Sequence, residues 1–256
     1  MVLARWSLVC LWLLTAGGMV SAADTAAERF QTLVKQFDEE GGSKEFAPRF
    51  FSLAEEFPAD PVAVDALVWI LGNRRNQPEA LQAIARLRAR YLTSPAFERA
   101  CQGVARVPSN KSEQLLRAAL AESPHAQVRA AACLQLANLL EREAAIISQL
   151  KSNVGLADRM REYYGQDYGT HLLELDEAAV QTALEQVYEK MAADFSEVQS
   201  DDQQLGELAS LALFRIRHLT VGRQAPEISG EDIGGKQFRL SDYRGQVVMI
   251  SFWGHW

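Results

Sequence analysis

LLRAALAESPHAQVRAAACLQLANLL, residues 115–140, is the stretch from which the fold is read. Leu116, Ala119 and Leu120 recur at steps of three and four, so they share one side of a helix. Ser123-Pro124 closes that helix and opens the next, in which Cys133, Leu136, Ala137 and Leu140 lie on one face. Cys133 sits among aliphatic residues and reads as one of them. Two amphipathic helices joined by so short a turn form a pair that cannot bury its own apolar faces. A neighbouring pair must cover it.

The same grammar extends upstream. Phe30, Leu33, Val34 and Phe37 share a face, and Gly41-Gly42 ends their helix. Leu53, Ala54 and Phe57 continue the pattern. Asp60-Pro61 opens another helix, with Asp as cap and Pro where its missing N–H costs nothing. Val64, Leu67, Val68 and Leu71 line its inner side before Gly72-Asn73. Asn76 with Glu79, and Asn110 with Glu113, have the spacing of capping boxes. Between them, Leu81, Ile84 and Leu87 form one face, and Ser94-Pro95 introduces Phe97, Cys101 and Val104.

Downstream, the period weakens from Lys151 to Gly169, where Tyr163, Tyr164 and Tyr168 cluster beside two glycines. A loop packed by its own aromatics is expected there, with a binding loop as the alternative. Val180, Leu184, Val187 and Met191 mark a long helix, and Leu208, Leu211, Ala212 and Ile216 mark another. The expectation is a mainly α domain over residues 23–219: stacked antiparallel helix pairs, α-solenoid-like, loosely resembling HEAT or tetratricopeptide repeats without a strict period. His125, His171 and His218 stand apart, with no ligand spacing around them, so no metal set and no cofactor are expected.

The pattern changes near Thr220. Lys236 to Leu240 alternates polar and apolar residues like a half-buried strand, and Ser241 to Gly245 is a turn. Gln246 to Trp253 is nearly all apolar, as a central strand buried on both faces would be. The sequence VGRQAPEISGEDIGGKQFRLSDYRGQVVMISFWGHW, residues 221–256, resembles the opening of the redoxin group of the thioredoxin superfamily. That group includes exported thiol–disulfide oxidoreductases of the TlpA/ResA type and the related AhpC/TSA proteins. The resemblance rests on Gly222, Ala225 and Pro226, on Gly235-Lys236, on Asp242 and Gly245, and on Phe252 at the end of the apolar run. It implies that residues 220–256 are the incomplete β start of a thioredoxin-like α/β domain.

The resemblance also implies that Trp253, Gly254, His255 and Trp256 adjoin the active site, with a Cys-x-x-Cys pair expected directly after Trp256. The first cysteine of such a pair reacts as a thiolate at a helix N-terminus. Gly254 departs from the family's usual alanine, and His255 stands at a variable position. The chain itself holds three cysteines, Cys10, Cys101 and Cys133, and no Cys-x-x-Cys, so no catalytic residue is assigned within it. It reads as an N-terminal fragment ending just before the pair, and no redox turnover is expected from it.

Residues 1–22 read as an export signal: Arg5, an apolar run containing Cys10, and Val20-Ser21-Ala22 before Ala23. The expected location is the periplasm or another extracytoplasmic space. Membrane anchoring is the alternative if the segment is not cleaved. The net charge of −7 and scattered basic residues argue against nucleic acid. Three functions follow: an exported thiol–disulfide oxidoreductase acting on protein thiols or a redox partner, a helical scaffold with a non-catalytic redoxin segment, and a peroxiredoxin-like peroxidase.

Overall fold

The computed structural model describes residues 25–41, 44–152, 155–200 and 203–253. Seven helices lead the described chain: α1 (Ala26–Glu39), α2 (Phe46–Glu56), α3 (Val62–Asn73), α4 (Pro78–Arg90), α5 (Glu98–Arg106), α6 (Asn110–Glu122) and α7 (Ala126–Ser152). A 3₁₀ turn, Pro95–Phe97, precedes α5. The helices pack in pairs. α1, α3, α5 and α7 adjoin in one row, while α4 and α6 touch in the other. Each pair covers the apolar face that the preceding pair leaves open.

Aromatic packing closes the first pairs. Phe50 of α2 stacks on Trp69 of α3 with ring centroids 3.8 Å apart, and Phe37 of α1 meets Trp69 edge-on at 4.7 Å. The face Val64, Leu67, Leu71 is buried as its spacing requires. Thr25 and Glu28 form a reciprocal capping box at the start of α1. Asp60 caps α3 through its carboxylate, which accepts from the Val62 N–H at 2.9 Å.

The two capping boxes expected further along do not form. α4 starts after Gln77, which makes no side-chain cap, and Glu79 instead faces Arg74 at 3.6 Å. Pro78 at the first helical position sets that start one residue later than Asn76 would. In α6 the cap is Ser109, whose hydroxyl accepts from the Lys111 N–H at 3.1 Å. Glu113 pairs with Arg117 one turn on, at 2.7 Å.

α7 is the hub. It packs against α5 and α6 and against two later helices, α9 (Gln166–Glu174) and α10 (Glu177–Asp194). Alanines buried around it, Ala130, Ala132, Ala137 and Ala144, let neighbouring helices approach from several directions. α8 (Leu156–Tyr164) and α11 (Leu205–His218) complete the body. The loop expected around the tyrosines is a helical hairpin, α8 and α9, turned at Gly165 with φ +85°. Its aromatics pack on one another as expected, Tyr163 on Tyr164 at 4.8 Å and Tyr164 on Tyr168 at 5.9 Å. Gly169 allows the hairpin: a Cβ there would lie 2.6 Å from the Arg161 Cα. Leu211, expected inside α11, is 61% exposed, while Ala212 and Ile216 carry the contact.

Four short strands are present among the described residues. β1 (Gln199–Ser200) and β2 (Gln203–Gln204) form one antiparallel pair, and β3 (Ser229–Glu231) and β4 (Gln237–Arg239) form another. In the second pair Gly230 faces Phe238, and the absence of a side chain at Gly230 leaves room for the ring. The Asp232 carboxylate accepts from the N–H groups of Gly234 and Lys236, fixing the turn at Gly235.

The apolar run Gln246 to Trp253 has the pattern of a buried central strand, but the chain carries no sheet partners for it, and no strand forms there, as that lack leads one to expect. Residues 247–253 have no strand structure, and Val247, Met249, Phe252 and Trp253 are exposed. A strand needs a ladder partner for its N–H and C=O groups and a layer on each face. The β3–β4 pair supplies neither. The two small pairs therefore do not make a closed thioredoxin-like sheet.

Candidate functional site

The residues that the redoxin resemblance marks lie along an open segment. Gly222 and Gly245 both adopt positive φ, +86° and +83°, which suits glycine at these turns. Ala225 and Pro226 follow outside any helix or strand. The Asp242 carboxylate accepts from the Arg239 N–H at 3.0 Å and holds the turn Leu240–Tyr243. Phe252 and Trp253 point to solvent, 87% and 88% exposed. Gly254, His255 and Trp256 lie outside the described residues. No pocket among those described is lined by any of these positions.

The helical body holds two free cysteines, both fully buried. Burial pushes the thiols of Cys101 and Cys133 up to about 12. The Cys101 Sγ sits 3.5 Å from the carbonyl of Phe97, the N-cap of α5, and the Cys133 Sγ sits 3.5 Å from the Val187 carbonyl of α10. These are packing residues, as their places in the apolar faces predict.

A polar cluster has formed where the sequence shows none. Glu113 of α6, Glu143 of α7 and His171 of α9 bring one carboxylate oxygen each and one ring nitrogen within 4.8 Å of one another. Glu143 is only 2% exposed. Its Oε1 accepts from the Tyr168 hydroxyl at 2.7 Å, while its Oε2 has no hydrogen-bond partner. The Nε2 of His171 is also buried without a partner. Tyr168 and His171 are three residues apart on α9 and so share a face, their rings 5.8 Å apart. Burial pushes the Glu143 carboxyl up to about 7, against the opposing hydrogen bond from Tyr168.

Tyr168 and His171 also line a cavity of about 450 Å³. Its other walls are the α3–α4 turn at Asn76, Gln77 and Pro78, and the α5–α6 turn at Ser109 and Asn110. The signal for Glu143 was present in the sequence. It follows Leu136 and Leu140 by seven and three residues and precedes Ile147 by four, a charge at an inward position of α7. The meeting of His171 with two glutamates needs three helices and has no sequence signature.

A second cavity, about 820 Å³, is an open groove lined by Gln102, Gln135, Asn138, Glu141 and Arg142, with Ser200 and Gln203 at its edge. Glu141 accepts from Tyr188 of α10 at 2.8 Å and pairs with Arg215 of α11, so the groove floor is tied to both helices.

Comparison with known proteins reaches only a small part of the chain. No family model matches, and no solved structure matches. The thiol-disulfide oxidoreductase ResA of Geobacillus thermodenitrificans is 45% identical over 38 residues, 15% of this chain and 22% of that protein. The ResA of Geobacillus kaustophilus is 47% identical over a stretch of the same length. The chain thus spans about a fifth of the curated relatives it matches. This is a distant link to a redoxin-like lineage. The described residues add no Cys-x-x-Cys to it. Among them, no helix is long and apolar enough to cross a membrane.

Proposed function

We propose that this chain is a helical protein-binding module, α-solenoid-like, attached to a redoxin-related segment that brings no catalytic cysteine. The observation that carries this reading is the state of the cysteines in the helical body: buried, unpaired and held as thiols. A disulfide exchange needs an accessible thiolate, and neither residue offers one. The polar groove along α5, α7 and α11 offers a partner amide and carboxylate groups on a well-packed support. The N-terminal sequence, with Arg5, an apolar run and Ala22, supports work outside the cytoplasm.

Two measurements test the proposal. The chain should not accelerate reduction of insulin disulfides by dithiothreitol. Cross-linking in extracytoplasmic extract of the source cells should trap a protein partner with the native chain and lose it when Gln135 and Asn138 are both changed to Arg. Turnover abolished by Cys101→Ser or Cys133→Ser would refute the module reading.

A second reading is favoured by the ResA similarity. Here the chain belongs to a thiol–disulfide oxidoreductase whose reactive cysteines are encoded after Trp256, and the helical body presents clients to them. Reading the gene beyond that codon separates the two. A Cys-x-x-Cys followed by a helix would establish the second.

A further inference from the structure

We infer that Glu113, Glu143 and His171 form a binding site for one divalent transition-metal cation of the zinc type, with its open coordination position facing the cavity beside the α8–α9 turn. The inference stands apart from the module reading and from the redoxin segment.

Three observations converge on it. The ligand atoms come from three helices and lie within 4.8 Å of one another. Metal–ligand bonds of about 2.0–2.2 Å in a tetrahedron set ligand atoms about 3.4 Å apart. Closing around an ion therefore draws the ligand atoms together by up to about 1.4 Å. Second, two of the groups are unsatisfied: Glu143 Oε2 and His171 Nε2 are both buried and both lack a hydrogen-bond partner. A buried acceptor without a donor is costly, and Glu143 is only 2% exposed. A cation satisfies both atoms at once.

Third, the surroundings suit an ion. The Tyr168 hydroxyl donates to Glu143 Oε1 at 2.7 Å, which fixes the carboxylate plane and leaves Oε2 available. Arg117 engages Glu113 through Oε1 alone, at 2.7 Å, so the other oxygen of Glu113 is open to a ligand role. His171 lines the 450 Å³ cavity, which gives an ion a route from solvent and a place for water as fourth ligand. Two carboxylates and an imidazole favour Zn²⁺ over Mg²⁺ or Ca²⁺, whose sites are built from oxygen alone.

The test is equilibrium binding of Zn²⁺ to the full chain after EDTA treatment and dialysis, read by calorimetry. Visible absorption of the Co²⁺-loaded protein reports the coordination number. One Zn²⁺ per chain is expected, with four-coordinate Co²⁺ bands and a rise in melting temperature that Mg²⁺ does not give. His171→Gln and Glu143→Gln should each weaken Zn²⁺ at least about 10-fold, and Tyr168→Phe about 10-fold while leaving the stoichiometry unchanged. Circular dichroism checks that each variant is folded. Since Glu143 is buried, Glu113→Gln, on a partly exposed residue, serves as an independent ligand variant. No saturable site, or Zn²⁺ bound equally by native chain and His171→Gln, would overturn the inference. So would six-coordinate Co²⁺ spectra that the variants do not change, because they would place the ion elsewhere.

Discussion

Cys101 and Cys133 should be close to inert in the folded protein, and the degree of inertness can be worked out. At pH 8 a thiol with the ordinary value of 9.0 is ionised in about one molecule in ten. One pushed up to about 12 is ionised in about one in ten thousand. Thiolate supply alone therefore slows alkylation about 1000-fold. The same burial keeps the reagent out, because both residues are 0% exposed and labelling must wait for the helices to open. Cys133 lies on α7, against α10, so its exposure requires the hub of the body to come apart. The assay is N-ethylmaleimide labelling at pH 8 in a Cys10→Ser background, with mass spectrometry on folded protein and on protein in guanidinium. Folded chains should gain label at least about 1000-fold more slowly at both positions. Labelling of either cysteine within tenfold of its unfolded rate would refute the reasoning and return cysteine chemistry to the helical body.

Leu136→Ala should destabilise the fold by about 2–5 kcal/mol in urea denaturation, because Leu136 is fully buried in α7 and the surrounding helices cannot all collapse into the gap. Ser109→Ala removes the cap of α6 and should cost about 1 kcal/mol in the same measurement, whereas Asn110→Ala should cost less, since Asn110 makes no cap. Gly169→Ala forces a Cβ to 2.6 Å from the Arg161 backbone and should cost about 1–3 kcal/mol. Near-ultraviolet circular dichroism should change with it, as Tyr164 and Tyr168 lose their register.

The helical body was legible because its signals are local. Leu116 with Ala119, and Leu136 with Leu140, announce their faces by spacing alone and are buried, whereas Leu211 of α11, read by the same spacing, is exposed. Caps were legible in kind but not always in place. Asp60 accepts from the Val62 N–H at the start of α3 as expected, while Ser109 displaced Asn110 and Gln77 displaced Asn76. Several residues near each start can serve, and the packing of the helix decides among them. The tyrosine region misled because α8 and α9 are nine residues each, too short to show more than two turns of period. At Gln246 to Trp253 the sequence describes a strand that only partner strands could realise. The apolar run is there, but neither β3 nor β4 pairs with it.

Glu143 is where pattern and placement conflict, and the conflict has direction. The stripe Leu136, Leu140, Glu143, Ile147 would be stabilised by an aliphatic residue at its third position. A carboxylate there weakens α7 at the helix on which α5, α6, α9 and α10 all rest. Tyr168 satisfies one of its oxygens and the other has no hydrogen-bond partner, in a carboxylate that lies beside His171 and Glu113. No basic side chain bonds that free oxygen: Arg142 donates to the Ala105 carbonyl and Arg117 binds Glu113. Departures from local consistency concentrate where a protein does something besides fold. In this chain, the strongest such departure among the described residues is inside the helical body rather than in the segment that resembles a redox enzyme.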